Sequence, residues 1–565
     1  MDGVEVKKQT PIVTTAEMRE IERRADHVAN PTYAQMMRNA GQAAARVIFE
    51  QIRRSPRFNP RAPSETRVVV LCGKGNNGGD GLACAKELAR LGVTPQIYML
   101  VVNARRSQSP ITDYVRATLK DLIADGIYID GVEASGEGRL QRLGDLWSLL
   151  LRADVVVDAL LGSGVSRPIE GDLRDILNEV TNVREMLRGD RLPLLVALDG
   201  VSGMNFDTGE IDAAVVPADL TITFHAPKRG HYSYPAAAAC GELVVVDIGI
   251  GTHRRDEDAV AVELPAPTAV LADETLVGPL LPVRRRDANK GTHGRPLVIG
   301  GCDDFVGAPA LSATAAYRAG AGVVTMAVPM SVKAIAAIVI REATFITLHD
   351  SPGAMTAESV PVITRWMSIS GNRAPVLMGP GMSQAESAGE FVYQFLEAVG
   401  ADLEGRLVVD ADGLNLLAKR DDWHKLLPPR TVLTPHDGEM SRLTRTSIRD
   451  VQRDHIGIAL RYAAEWGHVV LLKGPHTVIA APEGRAVVMP FANPAMATAG
   501  TGDVLAGCIL GMLSQGVKPF DAAVCGAYLH GRAGERWRAA HGEAGMLAGD
   551  LLQYLPDLLR DIAAA

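Results

Sequence analysis

Residues 67–91 read RVVVLC, then GKGNNGGDG, then LACAKELARL. The first piece is a continuous apolar run without alternation, so it predicts a strand buried on both faces, as in a parallel sheet. The glycines of the second piece let the backbone turn sharply and approach a ligand closely. The third piece has helical spacing, and a helix that starts directly after the loop offers unpaired N–H groups to an anion. Strand, glycine turn and helix form the repeating unit of an α/β fold, and the same alternation continues outward from here.

Upstream, Thr14 and Glu17 fit a capping box, and Met18, Ile21, Ala25 and Val28 fall at helical spacing. Met37, Ala40, Ala44, Val47 and Ile48 predict a second helix, and Arg53–Glu65 a loop. Downstream, strands are predicted at Gln96–Leu100, Asp154–Leu160, Leu194–Leu198, Leu220–Phe224 and Leu243–Ile248. Near Gly251 the pattern gives way to a charged and then Pro-containing stretch. A second alternation starts at Pro296–Gly300 and continues with Val323–Val328, Val376–Met378, Leu407–Asp410, Thr431–Leu433 and Val469–Leu472. Apolar helices follow Gly502 and Asp521. The expectation is two α/β domains, 1–252 and 285–565, joined by a linker at 253–284. Length agrees: 565 residues exceed a single core, which stops growing at roughly 250–300.

A net charge of −8 argues against nonspecific binding to nucleic acid or anionic membrane. Aromatics at 5% leave little for base stacking. Arg284–Arg286 reads as solvated linker. The six cysteines form no C-x-x-C pair and read as reduced, buried thiols. The N-terminus lacks a signal-peptide core, and no apolar run reaches the ~18 residues of a membrane span. A soluble, cytoplasmic protein is expected, with small molecules rather than nucleic acid or membrane as partners.

Asn76, Asn77 and Asp80 are more polar than a plain turn requires. The loop is neither G-x-G-x-x-G nor Walker A, and its oxygens suit a small cation such as K⁺, Mg²⁺ or Ca²⁺. Asp158 ends one predicted strand, with Gly162–Val165 behind it. Asp199 ends another, followed by Ser202 and Gly203. The C-terminal edges of parallel strands lie together, so these three strand ends should converge on one pocket. Each Asp taken singly reads rather as an N-cap of the next helix.

The second half carries AGTGDVLAG at 499–507. Small residues there let an apolar helix begin at a ligand, with Asp503 in its first turn. That suits phosphoryl chemistry: amide dipoles hold phosphate charge while a carboxylate takes a proton from a hydroxyl. KGPHT at 473–477, TPHDGE at 434–439 and DADGLN at 410–415 each follow a predicted strand. Alone, Lys473 reads as a surface lysine and His436 as structural.

Together the strings GKGNNGGDG, DALLGSG, ALDGVSGMNFDTG and DLTITFHAPKRG closely resemble the NAD(P)H-hydrate epimerases over about residues 11–250. The resemblance implies a Rossmann-like α/β/α sandwich. It implies that hydrated dinucleotide binds at Asn76, Asn77, Gly78, Gly79 and Asp80, and at Gly162, Ser163, Gly164, Val165, Ser166, Arg167 and Pro168. It implies K⁺ on Asn77, Asp158 and Ser202, and Asp199 beside the reacting carbon as a catalytic residue. Gly200 and Val201 depart from the family's usual Ile-Pro, exchanging a rigid loop residue for a flexible one.

The strings LVIGGCDDFVGAPALSA, MGPGM, VVDADGLNLL, KGPHT and GTGD resemble the ADP-dependent NAD(P)H-hydrate dehydratases over about residues 285–560, with Cys302 where Ser is usual. That family implies a ribokinase-like α/β fold. It implies nucleotide contacts at Lys473, Gly474, Pro475, His476, Thr477 and Gly502, and substrate contacts at Ala308, Gly381, His436 and Asp503. Asp503 would be catalytic, ADP the phosphoryl donor, Mg²⁺ its counter-ion, and a homo-oligomer the expected assembly. The implied activity is repair of hydrated NADH and NADPH. Two other readings stand beside it: a ribokinase-like small-molecule kinase, which would accumulate a phosphorylated product, and a nucleotide-binding scaffold without turnover.

Overall fold

A computed structural model describes residues 10–28, 31–54, 63–101, 110–133, 139–164, 168–250, 267–351, 353–370 and 374–564. The chain divides into two compact units, Ile12–Ala266 and Pro267–Ala565, with the stretch up to Pro11 grouped with the second.

A two-residue strand, β1 (Pro11–Ile12), precedes seven strands of the first unit. These are β2 (Arg67–Cys72), β3 (Thr94–Val101), β4 (Ile129–Glu133), β5 (Val155–Ala159), β6 (Leu194–Leu198), β7 (Leu220–Phe224) and β8 (Glu242–Val246). They form one parallel sheet in the order β4-β3-β2-β5-β6-β7-β8. The apolar runs are buried on both faces. Val68, Val70 and Cys72 pack into one core with the helices Thr15–His27, Tyr33–Arg54 and Asn76–Arg90. Val69 and Leu71 pack into a second core with Arg139–Leu150 and Gly171–Met186. The result is an α/β/α sandwich. Strand order reverses between β2 and β5, which places a ligand crevice outside their C-terminal ends.

The capping box is present: Thr14 Oγ1 accepts from Glu17 N at 3.1 Å, and Thr14 N donates to Glu17 Oε2 at 2.6 Å. Gly41 lets two helices touch, since a Cβ there would lie 2.3 Å from Ala83 Cβ. Of the predicted Arg53–Glu65 loop, Arg53 and Arg54 complete the helix and Pro63–Glu65 form a 3-10 turn.

The second unit holds β9 (Ala269–Leu271), β10 (Leu297–Ile299), β11 (Thr325–Pro329), β12 (Thr344–Leu348), β13 (Val376–Met378), β14 (Leu407–Val409), β15 (Val432–Leu433), β16 (Val469–Leu472), β17 (Val478–Ala480) and β18 (Ala486–Val488). The order is β1-β9-β18-β17-β16-β15-β14-β13-β10-β11-β12. Strands β10 to β16 run parallel, and β17 turns back against both β16 and β18. Residues from 267 to 284, read as linker from the sequence, carry β9 and the helix Glu274–Val277, capped by Asp273. Strand β9 pairs in parallel with β18.

Helix Thr501–Ser514 runs through the centre, buried from Val504 to Ser514. It lies so close to helix Ala308–Arg318 that a Cβ on Gly507 would meet Ser312 O at 2.2 Å. Strands β4, β12, β17 and β18 escaped the sequence reading. The first two close sheet edges, where burial is incomplete, and the hairpin strands are only three residues each.

Candidate functional sites

In the first unit the loop after β2 and the loop after β5 meet at the strand-order reversal, tied by Gly73 N donating to Ala159 O at 2.9 Å. A cavity of about 930 Å³ opens there. Asn76, Asn77, Asp80, Gly162, Ser163, Gly164, Pro168 and Asp199 line it. Gly78 and Gly79 do not. They are packing glycines, whose added Cβ atoms would meet Gly73 O at 2.0 Å and Met37 Sδ at 2.6 Å. Val165, Ser166 and Arg167 lie outside the described residues.

Asp158 and Ser202 sit beneath the cavity floor. Asp158 accepts from Ser202 Oγ at 2.6 Å, from Ser202 N at 2.9 Å and from Leu160 N at 3.1 Å. Ser202 Oγ in turn accepts from Leu161 N at 2.9 Å. Asn77 Nδ2 donates to Leu161 O at 2.8 Å and Leu198 O at 3.0 Å, which leaves its Oδ1 buried without a hydrogen-bond partner. An orphaned buried oxygen costs about 1–3 kcal/mol unless something meets it. Burial raises the Asp158 carboxyl, its hydrogen bonds with Ser202 and Leu160 opposing. A cation that met these oxygens would relieve both costs.

Asp199 ends β6 in the left-handed region, at φ 64, strained for a non-glycine residue. The strain is held by neighbours. Lys228 Nζ donates to Asp199 Oδ1 at 2.5 Å and to Thr223 Oγ1 at 3.1 Å. Lys228 N donates to His231 Nδ1 at 2.9 Å, so His231 Nε2 carries the hydrogen it gives to Asp199 O at 2.8 Å. Burial pushes the Asp199 carboxyl up, but the Lys228 ammonium outweighs it, and the net position is below the usual carboxylate range. Lys228 stood in a quoted motif yet was not proposed as a site residue; only folding brings the ends of β6 and β7 together around it. The space a side chain at Gly200 would occupy is filled by Met204 and Phe206, at 2.6 and 2.7 Å.

In the second unit the C-terminal ends of β10 and β13 to β16 converge. Lys473 Nζ, after β16, donates to Asp410 Oδ1, after β14, at 2.7 Å and lies 3.6 Å from Glu439 Oε2. Thr434 Oγ1 donates to the same Asp410 oxygen at 2.8 Å. Gly502 faces this cluster, with a Cβ placed there 3.6 Å from Lys473 Nζ. Asp503, one residue on, has its carboxyl pushed up to about 7 by burial and by the like charge of Asp410, with Lys473 opposing. Gly500 caps the helix at φ 90.

Gly381 and Ala308 are neighbours: a Cβ on Gly381, at φ 59, would lie 3.1 Å from Ala308 Cβ. His436 Nδ1 accepts from Gly438 N at 3.0 Å and Glu439 N at 3.4 Å, so its ring caps helix Asp437–Thr444. Gly474, Pro475, His476 and Thr477 form the β16–β17 turn, in which Thr477 Oγ1 donates to Gly474 O at 2.9 Å. The His476 ring contacts Met489 O at 3.2 Å, and burial lowers its pKa to about 4. Asp410 and Glu439 are cluster members that sequence reasoning quoted without assigning a role.

Residues 296–557 match the family model of NAD(P)H-hydrate dehydratase, and residues 33–230 match the model described as YjeF-related protein N-terminus. The chain is 37% identical over 560 residues to the bifunctional NAD(P)H-hydrate repair enzyme of Moorella thermoacetica, covering 98% of this chain and 97% of that one. This chain belongs to the bifunctional NAD(P)H-hydrate repair enzymes. The repair enzymes of Coxiella burnetii and Escherichia coli are 34% and 30% identical, covering 97% and 95% of this chain and 99% and 92% of theirs. A solved ADP/ATP-dependent NAD(P)H-hydrate dehydratase from Bacillus subtilis, co-crystallized with ATP and Mg²⁺, is 31% identical with a TM-score of 0.44, covering 52% of this chain and 98% of that one. The α/β/α sandwich of the first unit thus holds the YjeF-related match, and the second α/β unit the dehydratase match. No helix among the repair enzyme's described residues is long and apolar enough to cross a membrane.

Proposed function

We propose that the first unit interconverts the two C6 epimers of hydrated NADH and NADPH, and that the second returns the S form to the intact cofactor using ADP. The observation that carries this reading is Asp503 at the start of a buried helix, beside the Lys473–Asp410 pair, with a carboxyl pushed up to about 7. A carboxylate that binds its proton that firmly is a competent general base near neutral pH. It takes the proton of the C6 hydroxyl as that oxygen attacks the β-phosphorus of ADP and AMP departs. The amides of Gly500–Gly502 hold the phosphoryl oxygens. Phosphate then leaves C6 as a proton is lost from C5, restoring the double bond. Phosphorylation matters because hydroxide is a poor leaving group.

Lys473–Thr477 and Gly502 are assigned to the nucleotide, and Ala308, Gly381, His436 and Asp503 to the hydrated ring. Among the described residues no group of three His, Cys, Asp or Glu side chains is arranged to hold a metal. Mg²⁺ arrives with phosphates and usually takes one or two carboxylates. Bound there it would neutralise phosphate charge. In the first unit Asn77, Asp158 and Ser202 would hold K⁺, whose charge would fix the two loops. Asn76, Asn77 and Asp80, with Gly162, Ser163, Gly164 and Pro168, would take the dinucleotide, with Asp199 at the reacting carbon. A homo-oligomer is the assembly we assign.

The test supplies an equilibrium mixture of hydrated NADH epimers with ADP, Mg²⁺ and K⁺. Absorbance recovered beyond the S fraction requires both activities. Recovery that stops at the S fraction removes the epimerase, and a phosphorylated product that accumulates replaces the dehydratase with a kinase.

A further inference from the structure

One face of helix Thr15–His27 looks into the cavity of the first unit, through Thr15, Met18, Arg19 and Glu22, at the i, i+3, i+4, i+7 spacing of a single helical stripe. Glu22 is the carboxyl on that stripe. Asp80, from helix Asn76–Arg90, lines the same cavity, as do Asp199 and Lys228. Two of the four are committed to each other, through the 2.5 Å bond from Lys228 to Asp199. Glu22 and Asp80 are half-buried and take no side-chain hydrogen bond from the described residues. Arg19, Lys74, Glu170 and Asp172 also line the cavity, and Arg19 donates to Ser163 O, so the charge there does not pair off against Glu22 and Asp80. A carboxyl left without a donor in a ligand cavity is available to a ligand's hydroxyl.

We infer that Glu22 is the acid that protonates the C6 hydroxyl of the hydrated ring during epimerisation, with Asp80 beside it in the same proton reservoir. This rests on the epimerase reading above. C6 bears both the hydroxyl and the ring nitrogen, so the nitrogen lone pair can expel the hydroxyl once it is protonated. The C6–O bond breaks, C6=N1 forms, water departs and Glu22 is left as carboxylate. Water then adds to the opposite face of C6, the π electrons return to nitrogen, and the proton it releases goes back to the Glu22–Asp80 pair. No proton, electron or atom is gained or lost overall. Asp199, kept ionised by Lys228, faces the cationic intermediate. Charge balance agrees with these roles. Burial raises the Glu22 carboxyl to about 7, with Lys228 and Arg19 opposing and Asp199 reinforcing. Asp80 is raised as well, by burial and by the charges of Asp199 and Glu22, Lys228 opposing. Glu22 therefore exchanges its proton near neutrality and Asp80 is pushed the same way, while Asp199 is pushed toward the ionised form.

The experiment uses the full chain with K⁺ and without ADP, which silences dehydration, and follows conversion of isolated R-form hydrated NADH to the S form by NMR. Glu22→Gln is expected to lower kcat by roughly 10²–10⁴, the range of general acid catalysis, with KM within about threefold. Wild-type kcat should fall as pH rises past about 7, and Glu22→Gln should lose that limb. Glu22→Asp, which keeps an acid, should recover part of the rate, and both variants should dehydrate the S form with ADP at the wild-type rate. A Glu22→Gln kcat within about threefold of wild type, or an unchanged pH limb, overturns the assignment. A wild-type chain that dehydrates the S form but never interconverts epimers instead overturns the epimerase reading itself.

Discussion

Asp503 shows how one carboxyl couples chemistry to stability. Its pKa is about 7 in the folded chain, against 3.8 as the ordinary value. The folded state therefore binds the proton more tightly than the unfolded state, and stability falls as pH rises from about 4 to 7. Asp503→Asn should abolish dehydration, by at least roughly 10²-fold in kcat, while ADP binding changes little. The same variant should melt higher than wild type at pH 8, by roughly 2–4 °C for each kcal/mol released, and no higher at pH 4. Thermal melts at the two pH values check the sign. Retained turnover would remove Asp503 from the reaction. The sequence made this residue conspicuous through GTGD, but its raised proton affinity depends on burial and then on Asp410, 93 positions earlier by numbering and brought alongside only by the sheet.

Among elements, the helix Thr501–Ser514 depends most on residues that have no side chain to offer. Gly507 and Gly511 bring it onto helix Ala308–Arg318, where added Cβ atoms would meet Ser312 O at 2.2 Å and Ala316 O at 2.8 Å. Both obstacles are backbone and cannot rotate away. Gly507→Ala should destabilise the second unit by about 1–3 kcal/mol, the usual range for overpacking a core. Because Ser312 Oγ also donates to Asp503 O at 3.0 Å, displacing that helix should lower kcat for dehydration as well. Chemical denaturation and S-form kinetics measure the two effects, and a wild-type midpoint would show that the helices part without penalty. The strands that carry these sites were legible because they are apolar and continuous. Strand β12 was not, since it closes an edge with Thr344 exposed.

For the chain as two units, each site should respond to its own ligand. The three buried oxygen carriers Asn77, Asp158 and Ser202 lie in the unit Ile12–Ala266, and Lys473, Asp410 and Asp503 in the other. Ligand bound only to the folded state stabilises by mass action, by about 2.7 kcal/mol at a hundredfold excess over Kd. K⁺ in place of a larger organic cation should raise a calorimetric transition, and Asp158→Asn should remove that rise while leaving the shift produced by ADP with Mg²⁺. An undiminished K⁺ effect in the variant would move the cation elsewhere. The linker was the least legible part. Residues 267–284 were read as linker because a charged, then Pro-containing stretch leads into them, yet Ala269–Leu271 pairs with β18, a partner more than two hundred residues away.

The amino-acid sequence alone determined two α/β units, the strand ends that carry chemistry, and the family whose motifs they spell. Local patterns encode these, because apolar runs, caps and glycine turns act over a few residues. Only the tertiary structure decided that Gly78 and Gly79 serve packing, that His436 caps a helix, and that Lys228 and Glu22 face the cavity with Asp199. Those facts follow from burial and from charges meeting across the sheet, and neither is written in any short stretch of chain.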